Sequence, residues 1–102
     1  IELCHRNLSE GGVLIINLLP HNPAVFTETL KAIRQVFKRC TLCMTVPDHD
    51  NILVIARRPP VSAIPCKKLT SRAERAEQRY RLPMIDYLQN ILSTNQTSPL
   101  IC

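Results

Sequence analysis

A chain of 102 residues, 45% hydrophobic and with a net charge of +5, fits one globular domain that buries roughly two-thirds of the surface its unfolded form exposes. Its apolar content excludes wholesale disorder, and the absence of Trp, with only two Tyr and two Phe, excludes an aromatic platform for single-stranded nucleic acid. The longest apolar run is far below the ~20 residues of a membrane-spanning helix, so a soluble chain without a membrane partner is expected.

The sequence opens on Ile1 rather than Met and shows no signal-peptide pattern, which points to an internal start or a processed product. Ile1, Cys4 and Leu8 recur at helical spacing ahead of Gly11-Gly12, where a left-handed cap needs a residue without a Cβ. The opening reads as the tail of a helix. Val13 to Leu19 is apolar at every position but Asn17. As a strand it shows hydrophobic side chains to both faces of its sheet, the pattern of a parallel α/β sheet covered by helices on both sides. A chain this short is not expected to supply both layers.

Pro20-His21-Asn22-Pro23 is a loop, with Asn22 as N-cap and Pro23 at the first helical position. Phe26, Leu30, Ile33 and Phe37 follow at i, i+4, i+7 and i+11, widened by Val25, Thr29 and Val36, while Glu28, Lys31, Arg34 and Lys38 face outward. Cys40 to Val46 reads as a second strand, Pro47-Asp48-His49-Asp50 as a turn, and Ile52 to Ala56 as a third strand. A strand, helix, strand crossover sets the first two strands parallel, and the tight turn then reverses the third at the edge of a mixed sheet. Residues 59–70, rich in proline, read as a linker. Ser71 with Glu74 is a capping-box pattern opening a helical segment over 71–92, kinked at Pro83, with Met84, Ile85, Leu88, Ile91 and Leu92 as its apolar stripe. Residues 93–102 read as a flexible tail.

Taken in order, a helix ending in Leu8-Ser9-Glu10-Gly11-Gly12, the strand from Val13 to Leu19, a helix closing at Phe37, Val46-Pro47, a turn, and Asn51-Ile52-Leu53-Val54-Ile55-Ala56 resemble the C-terminal part of spermidine synthase-like proteins. Those proteins belong to the S-adenosylmethionine-dependent methyltransferase folds. Over residues 1–58 the resemblance implies an α/β unit that is the C-terminal portion of a Rossmann-like sheet, incomplete on its own. That sheet ends with a parallel strand followed by a reversed strand hairpin. The resemblance also implies a parent transferase moving an aminopropyl or methyl group from decarboxylated S-adenosylmethionine or S-adenosylmethionine. The family's glycine-rich nucleotide loop, its ribose-holding acidic residue and its catalytic aspartate have no counterpart here, since Gly11 and Gly12 are the only glycines. No catalytic residue and no bound cofactor are therefore expected in this chain alone. Where polyamine-making members carry an aromatic residue and a glycine for the amine pocket, this chain has Pro47-Asp48-His49-Asp50-Asn51.

Ligands of open α/β sheets bind beyond the carboxyl ends of the parallel strands. On that topology Asn17, His21, Asp48, His49 and Asp50 border the substrate side of a cleft, with the two carboxylates attracting a cationic amine. The competing reading is that these polar residues satisfy turns and water, as Asx-turns do. Cys40-Thr41-Leu42-Cys43 has zinc-like spacing, yet a strand sets positions three apart on opposite faces, so buried thiols are expected and a metal site is not. Five cysteines, Cys4, Cys40, Cys43, Cys66 and Cys102, are odd in number and scattered. Reduced thiols and a cytoplasmic setting follow.

Charge is uneven. Arg57 to Arg81 holds eight basic residues against Glu74 and Glu77, a net +6, which leaves −1 for the rest. Such a segment is either a solvated face, with Glu74 meeting Gln78 and Glu77 meeting Arg81 at i+4, or a surface that attracts an acidic partner or nucleic acid. The second of these makes the chain a small non-enzymatic binding or assembly module. The transferase reading instead makes its partner the remainder of the parent chain, or another copy in a homo-oligomer.

Overall fold

The computed structural model describes residues 1–38, 40–95 and 100–101. Elements follow in the order α1 (Glu2–Asn7), β1 (Val13–Leu18), α2 (Pro23–Phe37), β2 (Thr41–Thr45), β3 (Ile52–Arg57), β4 (Ile64–Pro65), α3 (Cys66–Tyr80), α4 (Met84–Asn95) and β5 (Leu100–Ile101). The fold is mixed α/β.

Local chemistry sets most element ends. Helix α1 stops at Asn7 with Leu8 extended, and the glycines serve the turn that follows. Gly12 N–H donates to the Ser9 carbonyl at 2.8 Å, and Gly11 takes φ +72°, open to it because it has no Cβ. Asn22 caps α2 with its side-chain oxygen, accepting from the N–H groups of Ala24 and Val25 at 3.1 and 3.3 Å. Those are two of the donors a helix start leaves without an intrahelical partner.

The sheet order is β1–β3–β2, with β3 antiparallel to both neighbours. The first two strands do run the same way, but they are not adjacent. The third strand, expected at the edge, is central. A fifteen-residue helix carries the chain far enough to leave a gap of one strand, about 10 Å, between β1 and β2. The turn after Val46 folds β3 back into that gap, where its backbone joins two ladders instead of one.

One face of the sheet is well covered. Ile33 and Phe37 of α2 are fully buried against Cys43, Val54 and Ala56, with Leu8, Leu14, Ile16, Leu18, Leu30, Val36 and Ile52 packed around them. The ring of His5 meets Phe37 edge-on at 5.3 Å. Val25, expected in the stripe of α2, is 60% exposed instead, because it lies in the first turn, beyond the end of that cluster.

The C-terminal half departs from the expected boundaries. Helix α3 begins at Cys66 directly after Pro65, so the linker is shorter than 59–70 and contains β4. Ser71 lies inside the helix, where its hydroxyl donates to the Lys67 carbonyl, and it caps nothing. Around Pro83 the chain forms two helices instead of one kinked helix. Arg81 ends α3 in a left-handed conformation, φ 55°, and proline then restricts Leu82. Residues 93–95, expected in a loose tail, are the last turn of α4, and Leu100–Ile101 pairs antiparallel with Ile64–Pro65. The rest of that tail, residues 96–99 and Cys102, lies outside the described residues.

Helix α4 runs along the outer edge of β2 and closes it with two asparagines. Asn95 accepts from the Cys43 N–H at 2.8 Å and donates to the Cys43 carbonyl at 2.7 Å. Asn90 treats Thr45 the same way, at 3.0 and 3.1 Å. Five residues of helix rise about 7.5 Å, and two residues of strand span about 6.8 Å, so the side-chain amides match the repeat of the strand's outward-facing backbone groups. They stand where a fourth strand would pair. Arg58 makes a second long-range tie, its guanidinium donating to the carbonyls of Leu8 and Arg6 at the end of α1.

Asn95→Leu, which keeps the size but loses both bonds, is expected to lower stability by about 1–3 kcal/mol. The same replacement at exposed Gln89 is expected to stay within about 0.5 kcal/mol. Urea unfolding of both variants checks the difference.

Candidate functional site

Strands β1 and β2 end at the same level, one on either side of β3. Leu18 and Thr45 both align with Ile52 of the strand between them, so the loop at 19–22 and the turn at 46–51 leave the same end of the sheet. The Asn51 side-chain amide donates to the Asn17 side-chain oxygen Oδ1 at 2.9 Å and ties the two segments together. Of the five residues expected at this rim, Asn17 is thus engaged in holding it. His21 is exposed in the loop beside the cap of α2.

Asp48, His49 and Asp50 project from the turn, all exposed. The His49 N–H donates to the Val46 carbonyl at 3.1 Å, and Asp48 has φ 64°. With the φ of Pro47 locked near −65° by its ring, this is the sign pattern of a type II turn, whose third position needs a positive φ. Aspartate is among the few residues with a Cβ that enter that region readily. The identity of Asp48 therefore has a backbone reason independent of any ligand. The shared rim can offer two carboxylates and two imidazoles to a solvated cation. The grooves of the surface are lined by other residues, along α2 and along α3 with α4.

Among the described residues no group of three or more His, Cys, Asp or Glu side chains converges. The glycines lie at the start of β1, the opposite end from the rim, and the place of Gly12 there is steric: a Cβ would stand 2.8 Å from the Ser9 carbonyl oxygen. They form a tight strand entry, not a phosphate cradle.

Cys40 and Cys43 are both buried. The Cys40 carbonyl accepts from the Arg57 N–H at 2.8 Å, and Cys43 packs in the core beside Val54. Burial pushes the Cys43 thiol above its ordinary pKa, and the Arg34 guanidinium opposes that shift. A thiol held protonated is a poor nucleophile and a poor metal ligand.

Sequence reasoning missed Asn90, Asn95 and Arg58. Their partners lie 45 to 52 positions away, so no local spacing announces them. Comparison with family models, with curated proteins and with solved structures returns no match.

Asp48→Gly is expected to raise stability by up to about 1 kcal/mol, and Asp48→Val to lower it by more than that; thermal unfolding reads both. Exposed Cys4 is expected to react with a thiol reagent at least ~10-fold faster than Cys43. Because the folded state raises the pKa of Cys43, its contribution to stability is fully present below the unfolded-chain value and is lost as pH rises through the folded one. Unfolding followed across alkaline pH, with Cys43→Ala as reference, measures that loss.

Proposed function

We propose that this chain is the C-terminal part of a spermidine synthase-like transferase, closing one end of a Rossmann-like sheet whose donor site, for S-adenosylmethionine or its decarboxylated form, is built by other parts of the parent. The observation that carries this reading is the state of β1. Among the described residues it pairs on one side only, and its second face leaves Val13 48% and Ile15 62% exposed, although the strand is apolar to both sides. A strand with that composition is suited to the interior of a parallel sheet. The strand directions support the same reading, since β1 and β2 run alike and β3 is reversed, in keeping with the sheet end that the resemblance implies.

In the parent, the rim formed by Asn17, His21, Asp48, His49 and Asp50 borders the acceptor side, beyond the carboxyl ends of the parallel strands. Asp48 and Asp50 act there at long range, drawing a cationic amine toward the cleft. Chemistry at the reacting atoms belongs to groups outside this chain. The alternative, a non-enzymatic binding or assembly module, is favoured by one separate observation, a row of basic side chains on α3 without carboxylate partners among the described residues.

Calorimetric titration of the two nucleosides into the 102-residue chain and into a protein extended at its N-terminal side tests the reading. Binding by the extended protein and none by the shorter chain is expected. Replacing Asp48 and Asp50 by Asn in the extended enzyme is expected to raise the KM for a polyamine several-fold with kcat little changed. An extended protein without nucleoside affinity contradicts the transferase reading.

A further inference from the structure

Helices α3 and α4 form an open groove of about 280 Å³ outside the region that carries the family resemblance. Leu69, Ala73 and Ala76 line it from α3, and Met84, Leu88 and Ile91 from α4. At 100° per residue, Leu69, Ala73 and Ala76 fall on one stripe of α3. Directly beside that stripe lie Lys68, Arg72, Arg75 and Arg79, at i, i+4, i+7 and i+11, forming a row about 16 Å long. All four are exposed.

The row has no neutralising partner within the helix. Glu74 and Glu77 project from the opposite side, and the expected Glu77–Arg81 pair does not form, because Arg81 leaves the helix in its left-handed cap. Among the described residues the ion pair is Arg6 with Glu2, far off in sequence on α1. Arg79 lies instead over the Tyr80 ring, 5.3 Å from its centroid. Four like charges at i+3 and i+4 spacing weaken an isolated helix, so an apolar trough and an uncompensated basic border run side by side.

We propose that the α3–α4 groove receives an amphipathic helix of an acidic partner protein, its apolar stripe seated on Leu69, Ala73, Met84, Leu88 and Ile91 and its carboxylates paired with Lys68, Arg72, Arg75 and Arg79. Charge complementarity selects this occupant. A phosphate backbone pairs with the row but leaves the trough wet, and an uncharged apolar helix fills the trough but leaves the row unanswered. A small anion cannot span the row. About 16 Å corresponds to three turns of helix, so a partner segment of about 11 residues with apolar anchors at i, i+3, i+4 and i+7 matches both features.

Fluorescence anisotropy of the 102-residue protein with a labelled peptide of about 15 residues, leucines at that spacing and glutamates along one border, tests the proposal. Saturable binding that weakens with added salt is expected. Combined Arg75→Glu and Arg79→Glu, at exposed positions and with the fold checked by circular dichroism, should reduce affinity at least about tenfold, and a lysine-bordered peptide should then bind this variant better than it binds the unaltered chain. Three results overturn the proposal: equal affinity for a peptide whose leucines are replaced by serine; tighter binding of a single-stranded oligonucleotide or of anionic lipid vesicles than of the peptide; and no saturable binding of the peptide. The groove lies outside the sheet rim, so failure here leaves the nucleoside titrations unaffected.

Discussion

Strand β3 is the shared partner on which the sheet depends. β1 and β2 share no ladder with each other, and each takes Ile52–Arg57 as its strand partner. The same strand supplies Val54 and Ala56, each 1% exposed, to the cluster under Ile33 and Phe37. Register and burial are thereby coupled. A slip of β3 by one residue would turn both side chains away from α2 and expose them on the opposite face.

The two outer edges of this sheet are treated differently. The edge of β2 is closed by the amides of Asn90 and Asn95, which answer two outward N–H groups and two outward carbonyls while presenting a helix, not a strand, to the surroundings. An edge treated this way no longer recruits another chain. Among the described residues the edge of β1 has no such device, and its exposed face carries Val13 and Ile15. The asymmetry gives the transferase reading its physical content: growth of the sheet is blocked on one side and open on the other.

Much of the fold was legible in the sequence because its signals are local. Asn22-Pro23 marks a helix start through cap and ring geometry, the four-residue recurrence to Phe37 marks a buried face, and Val46-Pro47-Asp48 marks a turn. The strand order was not legible, since a crossover and a hairpin are equally compatible with an edge or a central position for the third strand. Only the competition for two ladders decides between them. The break after α3 was half legible: Pro83 announces an interruption, but nothing local in Arg81 announces a left-handed cap. At the rim, the common end of β1 and β2 followed from strand direction, whereas the Asn17–Asn51 bond required the register. Asn90 and Asn95 look like ordinary helix-surface residues until the spacing of β2 is set beside them.

Hydrogen exchange read amide by amide along Val13–Leu18 tests most directly whether β1 is an interior strand deprived of its neighbour. In the dilute 102-residue chain, amides directed at β3 should exchange slowly and alternate with fast ones directed outward, while the inward and outward amides of β3 are uniformly slow. In a protein extended at its N-terminal side the alternation along β1 is expected to vanish, every amide being protected by a strand on its other side. Alternation that persists in the extended protein would make β1 a true edge and contradict the account.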